Sequence, residues 1–147
     1  MRLIKIVSIA IFALALATAM AGENTYIGAA KCKMCHKVQF ASWSESVHAQ
    51  AFDKLKAEDQ GKAECLECHA TGDTADLPGV QCESCHGAGS GYKSMKIMKD
   101  AEASKAAGLQ KPDEALCRGC HEGAPHDQAE FNYEEAKKTG LHEFKAE

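Results

Sequence analysis

Beyond its first twenty or so residues the sequence has few Leu, Ile or Val, one Trp, three Pro and 6% aromatics. A conventional hydrophobic core is therefore thin, and a chain this small then needs covalent or cofactor staples. No alternating apolar and polar stretch marks a strand. A glycine-rich nucleotide loop is missing, as is a nucleophile set beside a base, so nothing points to a substrate pocket. Basic residues are in the minority, 17 against 21 acidic, which argues against nucleic acid as a partner.

The one long apolar run is at the start. Arg2 and Lys5 precede Ile6–Leu16, and Ala19-Met20-Ala21 supplies a small-x-small cleavage pattern. This order reads as a secretory signal peptide over 1–21, too short for the roughly 20 apolar residues of a spanning helix. Cleavage after Ala21 takes Arg2 and Lys5 away and leaves one domain, 22–147. It has 15 basic against 21 acidic side chains, a formal charge of −6. An exported, periplasmic chain with no membrane span is expected, an extracellular location being the alternative. Its acidic surface favours a basic protein partner.

What the chain has in excess is cysteine: eight, all in four identical units. They are Cys32-Lys33-Met34-Cys35-His36, Cys65-Leu66-Glu67-Cys68-His69, Cys82-Glu83-Ser84-Cys85-His86 and Cys117-Arg118-Gly119-Cys120-His121. An exported chain with paired cysteines can be a disulfide framework, and Cys-x-x-Cys knuckles can hold zinc. Neither chemistry needs a histidine directly after every second cysteine; covalent attachment of c-type haem does. Two thiols one helical turn apart lie on the same face and can bond one porphyrin edge. The next residue then brings its imidazole under the iron as proximal ligand. The reading is four haem c groups, attached through Cys32, Cys35, Cys65, Cys68, Cys82, Cys85, Cys117 and Cys120 and ligated by His36, His69, His86 and His121. Four porphyrins in so short a chain fill its interior and lie close together, as an electron relay requires.

Apolar residues Phe40, Trp43, Val47, Ala51 and Leu55 recur at helical spacing, predicting a helix over 36–56. Between the second and third motifs, residues 70–81 contain Gly72, Pro78 and Gly79 and read as a tight irregular loop. A helix over 94–107 stops at Gly108, and Pro112-Asp113-Glu114 opens the helix of the fourth motif. Asn132 with Glu135 caps a last helix, ended by Gly140. The fold expected is mainly α, with long loops packed around four haems.

Four irons have eight axial positions. The motif histidines fill four, and His48, His126 and His142 are the remaining histidines, so they are the candidate distal ligands. One position is left over. Met95, Met98 and Tyr92 are candidates for it; an open iron or a histidine lent by another chain are the alternatives.

At these residues the chain resembles the tetrahaem cytochrome c-554 family. The matching stretches are Tyr26-Ile27-Gly28, Ser42-Trp43 with Val47-His48, His69-Ala70-Thr71-Gly72 with Pro78-Gly79-Val80, Cys85-His86-Gly87-Ala88-Gly89-Ser90, and Phe131-Asn132-Tyr133 with Gly140-Leu141-His142. The resemblance implies an exported electron carrier with three bis-histidine haems and one lacking a strong distal ligand. It also implies redox-protein partners: a donor like hydroxylamine oxidoreductase and a further cytochrome as acceptor. His48 would serve the fourth haem and His142 the third. Relatives commonly place a histidine for the first haem where this chain has Tyr92, so either His126 takes that role or the first haem is the unusual one. Two other functions stay open: reduction of a small molecule such as nitric oxide at a five-coordinate haem, and a subunit of an extracellular cytochrome filament.

Overall fold

The structure, a computed structural model, describes residues 23–126, 129–139 and 141–143. The signal-peptide segment and the Gly140 stop lie outside the described residues. Among the described residues eight short α-helices follow one another: α1 Ala29–Cys32, α2 Lys37–Ser44, α3 Ala63–His69, α4 Cys82–His86, α5 Met95–Met98, α6 Ala101–Ala106, α7 Glu114–His121 and α8 Tyr133–Thr139. A 3₁₀ turn covers Phe52–Lys54. The described residues form no strand, only one isolated bridge between Ala70 and Pro78. The fold is mainly α with long loops, as expected.

Two helices are shorter than the apolar spacing predicts. The long helix over 36–56 ends at Ser44, and Val47, placed on its apolar face by sequence, is 69% exposed. Tertiary contacts override the periodicity here. The loop before the third motif crosses beneath residues 48–49: the Val80 N–H donates to the His48 carbonyl at 2.9 Å. Trp43 Nε1 donates to the Val80 carbonyl at 2.8 Å. A continuing helix would use that His48 carbonyl internally. Over 94–107, Asp100 splits the expected helix into α5 and α6, because its side chain accepts from the Ala103 N–H at 3.0 Å and caps α6. The stop at Gly108 is as expected, with φ +103°. Asp113 caps α7, and Asn132 Oδ1 accepts from the Glu135 N–H at 3.2 Å at the start of α8.

The crossing loop depends on Gly79. Its φ is +81°, and a Cβ there would sit 2.5 Å from the Ala49 carbonyl oxygen. Gly79→Ala is expected to cost about 1–2 kcal/mol from the left-handed backbone alone, and more as the 48–49 segment is pushed away. A urea melt reads the first effect; the near-ultraviolet dichroism of Trp43, which is bonded to the Val80 carbonyl, reads the second.

Among the described residues the buried apolar side chains are Ala29, Leu66, Ala70 and Tyr92, matched in number by buried polar ones, Thr71, Gln81, Glu83 and Ser104. So small an apolar core does not offset the entropy of ordering the chain. Three of these polar residues hold loops to helices. Thr71 donates to the Gly79 carbonyl at 2.9 Å, accepts from the Gln81 N–H and meets Ser84 Oγ at 2.8 Å, tying the 70–81 loop to α4. Gln81 Oε1 accepts from the Ala29 N–H at 2.7 Å. Glu83, 2% exposed, accepts from the N–H groups of Ile27, Gly28 and Gly89 at 2.7–3.0 Å. One carboxylate thereby joins the segment before the first motif to the loop after the third.

Candidate haem centres

Three of the four motifs are built alike. Helices α3, α4 and α7 end on the motif histidines His69, His86 and His121, so both cysteines of each unit lie one turn apart just before the histidine. The first motif differs: α1 ends at Cys32, and His36 is the N-cap of α2. A bond of 2.9 Å from the His36 N–H to the Cys32 carbonyl keeps one helical turn between them.

All eight cysteines are unbridged, and no group of three or more His, Cys, Asp or Glu among the described residues converges as a metal-ion site. The motifs nevertheless approach one another. The Cys32 thiol hydrogen-bonds Cys82, which pushes the Cys32 pKa up and that of Cys82 down. Burial, followed by contact with Cys68, pushes Cys120 up to about 12. First and third motifs therefore meet, as do second and fourth.

The histidines meet in twos. Ring centres lie 6.0 Å apart for His48 and His121, 6.3 Å for His69 and His126, and 6.1 Å for His86 and His142. Each pair joins one motif histidine to one of the three others. The spacing suits two imidazole nitrogens facing each other with a metal between them, at about 2.0–2.1 Å per bond. Six of the seven histidines are used in this way, and the seventh is His36.

Backbone carbonyls orient the rings. His69 Nδ1 lies 2.6 Å from the Ala51 carbonyl, His86 Nδ1 3.0 Å from that of Gln110, and His142 Nδ1 2.9 Å from that of Glu143. A carbonyl can only accept, so Nδ1 carries the proton and Nε2 keeps its lone pair for a metal. Burial also lowers the pKa of His86 and His121, which favours the neutral, ligating form. The Glu143 N–H donates to Ser42 Oγ at 2.8 Å, 101 positions away, and so anchors His142 against α2. Phe131 stacks on the His121 ring at 4.5 Å. Beside them a cavity of about 550 Å³ opens between His121, Phe131 and α8, within the size range of cofactor sites.

The remaining candidates lie elsewhere. Tyr92 is 7% exposed, and its hydroxyl donates to the carbonyls of His86 and Gly87 at the end of α4. Met95 is 62% exposed and Met98 half-buried. Sequence reading missed the carbonyls that orient the rings, since no side-chain pattern marks them, and it missed Glu83, hidden between two cysteines.

The histidine pairs, the unbridged cysteine units and the thin core fit covalently bound haems, so these features define a multihaem c-type cytochrome. The profile of the family described as Cytochrome c554 and c-prime matches residues 31–87. Cytochrome c-554 of Nitrosomonas europaea is 28% identical, the alignment covering 87% of this chain and 72% of that protein. The solved reduced state of cytochrome c554 from the same organism superposes with a TM-score of 0.58 at 25% identity, covering 83% of this chain and 86% of that one. The chain is thus similar to cytochrome c-554 over most of its length, and it carries four haem c groups. As a cytochrome it takes part in electron transfer with redox partners. None of its described helices is long and apolar enough to cross a membrane.

Proposed function

We propose that this protein relays single electrons between redox proteins in the periplasm, through four closely packed haems of which three are bis-histidine. The observation that carries the proposal is the set of three cross-pairs between a motif histidine and a non-motif histidine, each at 6.0–6.3 Å. On this reading His69 and His126 hold the second iron, His86 and His142 the third, and His121 and His48 the fourth. His36 holds the first without a histidine opposite. Cys32, Cys35, Cys65, Cys68, Cys82, Cys85, Cys117 and Cys120 anchor the porphyrins.

Haem supplies reversible one-electron chemistry at iron, and bis-histidine ligation sets a low potential. The chain's own residues do the rest. Cysteines fix the macrocycle edges, and the carbonyls of Ala51, Gln110 and Glu143 hold the imidazoles in the ligating tautomer. The contacts of Cys32 with Cys82 and of Cys120 with Cys68 support first–third and second–fourth neighbours. The donor and acceptor fitting this role are an oxidoreductase like hydroxylamine oxidoreductase and a second cytochrome. A leader over 1–21 accounts for the periplasmic destination.

A stepwise reductive titration tests the proposal. Four electrons per chain are expected, followed by rapid reoxidation by a soluble c-type cytochrome. Fewer than four electrons, or no transfer to any protein acceptor, would overturn it. Reduction of nitric oxide at the first iron is the second reading, favoured by the histidine left over at His36; catalytic turnover of nitric oxide in excess of stored electrons would establish it.

A further inference from the structure

The chain is acidic as a whole, but the surface around its first motif has the opposite sign. Lys31, Lys33 and Lys37 are all exposed and stand within seven residues of one another. No carboxylate occurs between Glu23 and Glu45. The ion pairs that join described lysines or arginines to carboxylates all lie elsewhere, at Lys62, Arg118, Lys137 and Lys138. The one aromatic contact of the three lysines is that of Lys33, whose ammonium lies 5.0 Å from the Phe40 ring centre.

The second and fourth motifs differ. Around the second, Glu64 and Glu67 are exposed and Lys62 is paired with Asp59. Around the fourth, Arg118 is paired with Glu114 and Glu122, leaving Asp113 with a net negative rim.

Helix α2 adds a second observation. Among the described helices of five or more residues, it is the one with no acidic residue in its first turn. It begins instead with Lys37, where the helix dipole disfavours a cation. Local stability therefore gives no reason for that lysine. At the centre of the three lysines Met34 is 77% exposed, more than any other large apolar side chain described, and Cys35 is the exposed cysteine of the eight. An exposed methionine with three exposed lysines within three residues of it in sequence has the composition of a transient interface, an apolar centre with a charged rim.

We infer that Lys31, Lys33 and Lys37 around Met34 form a docking surface for an acidic redox protein, one whose carboxylates ring its own cofactor edge. It is a pole distinct from the acidic faces at the second and fourth motifs, which suit a basic partner. The inference rests on the electron-carrier reading. One electron crosses at this surface: the donor's cofactor is oxidised by one unit and one ferric iron becomes ferrous, or the reverse, and no bond is made or broken. Oppositely charged poles give the relay an entry and an exit that a single partner cannot confuse.

The test uses the full-length holoprotein on two electrode surfaces, gold bearing carboxylate-terminated and amine-terminated alkanethiol monolayers. Lys31→Glu/Lys33→Glu/Lys37→Glu is compared with the unmodified chain, and the triple Lys→Gln variant guards against misfolding of the first. At low ionic strength the charge reversal is expected to slow exchange at the carboxylate surface by about tenfold or more, with the Gln variant in between. Salt should bring the unmodified protein down toward the variants. At the amine surface the charge reversal should not slow exchange. Equal rates at the carboxylate surface would overturn the inference while leaving the carrier reading intact. Absence of a voltammetric response from the unmodified protein on both surfaces would overturn the carrier reading itself.

Discussion

The ferric protein is expected to hold three low-spin haems and one high-spin haem, and His48→Ala, His126→Ala and His142→Ala are each expected to raise the high-spin count to two. Each of these histidines faces a different motif histidine across 6.0–6.3 Å. Removing one ring therefore empties one axial position and leaves the other two pairs intact. Electron paramagnetic resonance counts the spin states directly. Four low-spin haems in monomeric unmodified protein would contradict the assignment, as would a histidine variant with an unchanged spectrum.

Tyr92 bears on the first iron, the one left without a second histidine. Tyrosine ligates iron as phenolate, and burial, followed by the charge of Glu83, raises the Tyr92 pKa, so the phenolate is disfavoured. Its hydroxyl is already donated to two carbonyls. Tyr92 nevertheless stands near Cys32 of the first motif. Tyr92→His is therefore expected to convert the single high-spin haem to low spin, and to abolish any binding of carbon monoxide to the reduced protein. A high-spin signal unchanged in this variant would place the open iron at another motif.

The second large effect is expected at Glu83. In Glu83→Ala three backbone N–H groups, those of Ile27, Gly28 and Gly89, lose their acceptor inside the protein. A buried donor left unsatisfied costs about 1–3 kcal/mol, so a loss of about 3–9 kcal/mol is expected for the three in a urea melt of the holoprotein. Glu83→Gln should cost less, because one oxygen remains, although its amide N–H groups face donors. On the proposed assignment attachment uses Cys82 and Cys85, so haem stoichiometry should hold in both variants. An Ala variant within 1 kcal/mol of the unmodified protein would mean that water replaces the carboxylate at these three groups.

Much of the haem chemistry was legible because it is written in local spacing. Cys-x-x-Cys-His needs only one turn of backbone to bring two thiols and an imidazole to a porphyrin edge, so four units in sequence announce four haems. Caps are equally local, and Asp113 and Asn132 start their helices where the sequence puts them. The 36–56 helix was misread for the opposite reason. Its apolar spacing is genuine, but the segment breaks after Ser44 because Gly79 and Val80, thirty residues on, come in against His48 and Ala49.

The sequence alone determined the cofactor class, the number of attachment sites, the mainly helical fold and the shortfall of one histidine, since each follows from residue type, short-range spacing or a count. The resemblance already implied His48 for the fourth motif and His142 for the third; only the tertiary structure showed how His142 is held there and where His126 goes. His142 reaches His86 through a hydrogen bond to Ser42, 101 positions away, and His126 turns to His69 instead of His36. Those pairings depend on how loops close over one another, and loop closure is governed by buried polar contacts such as those of Thr71, Gln81 and Glu83, which carry no periodic signature.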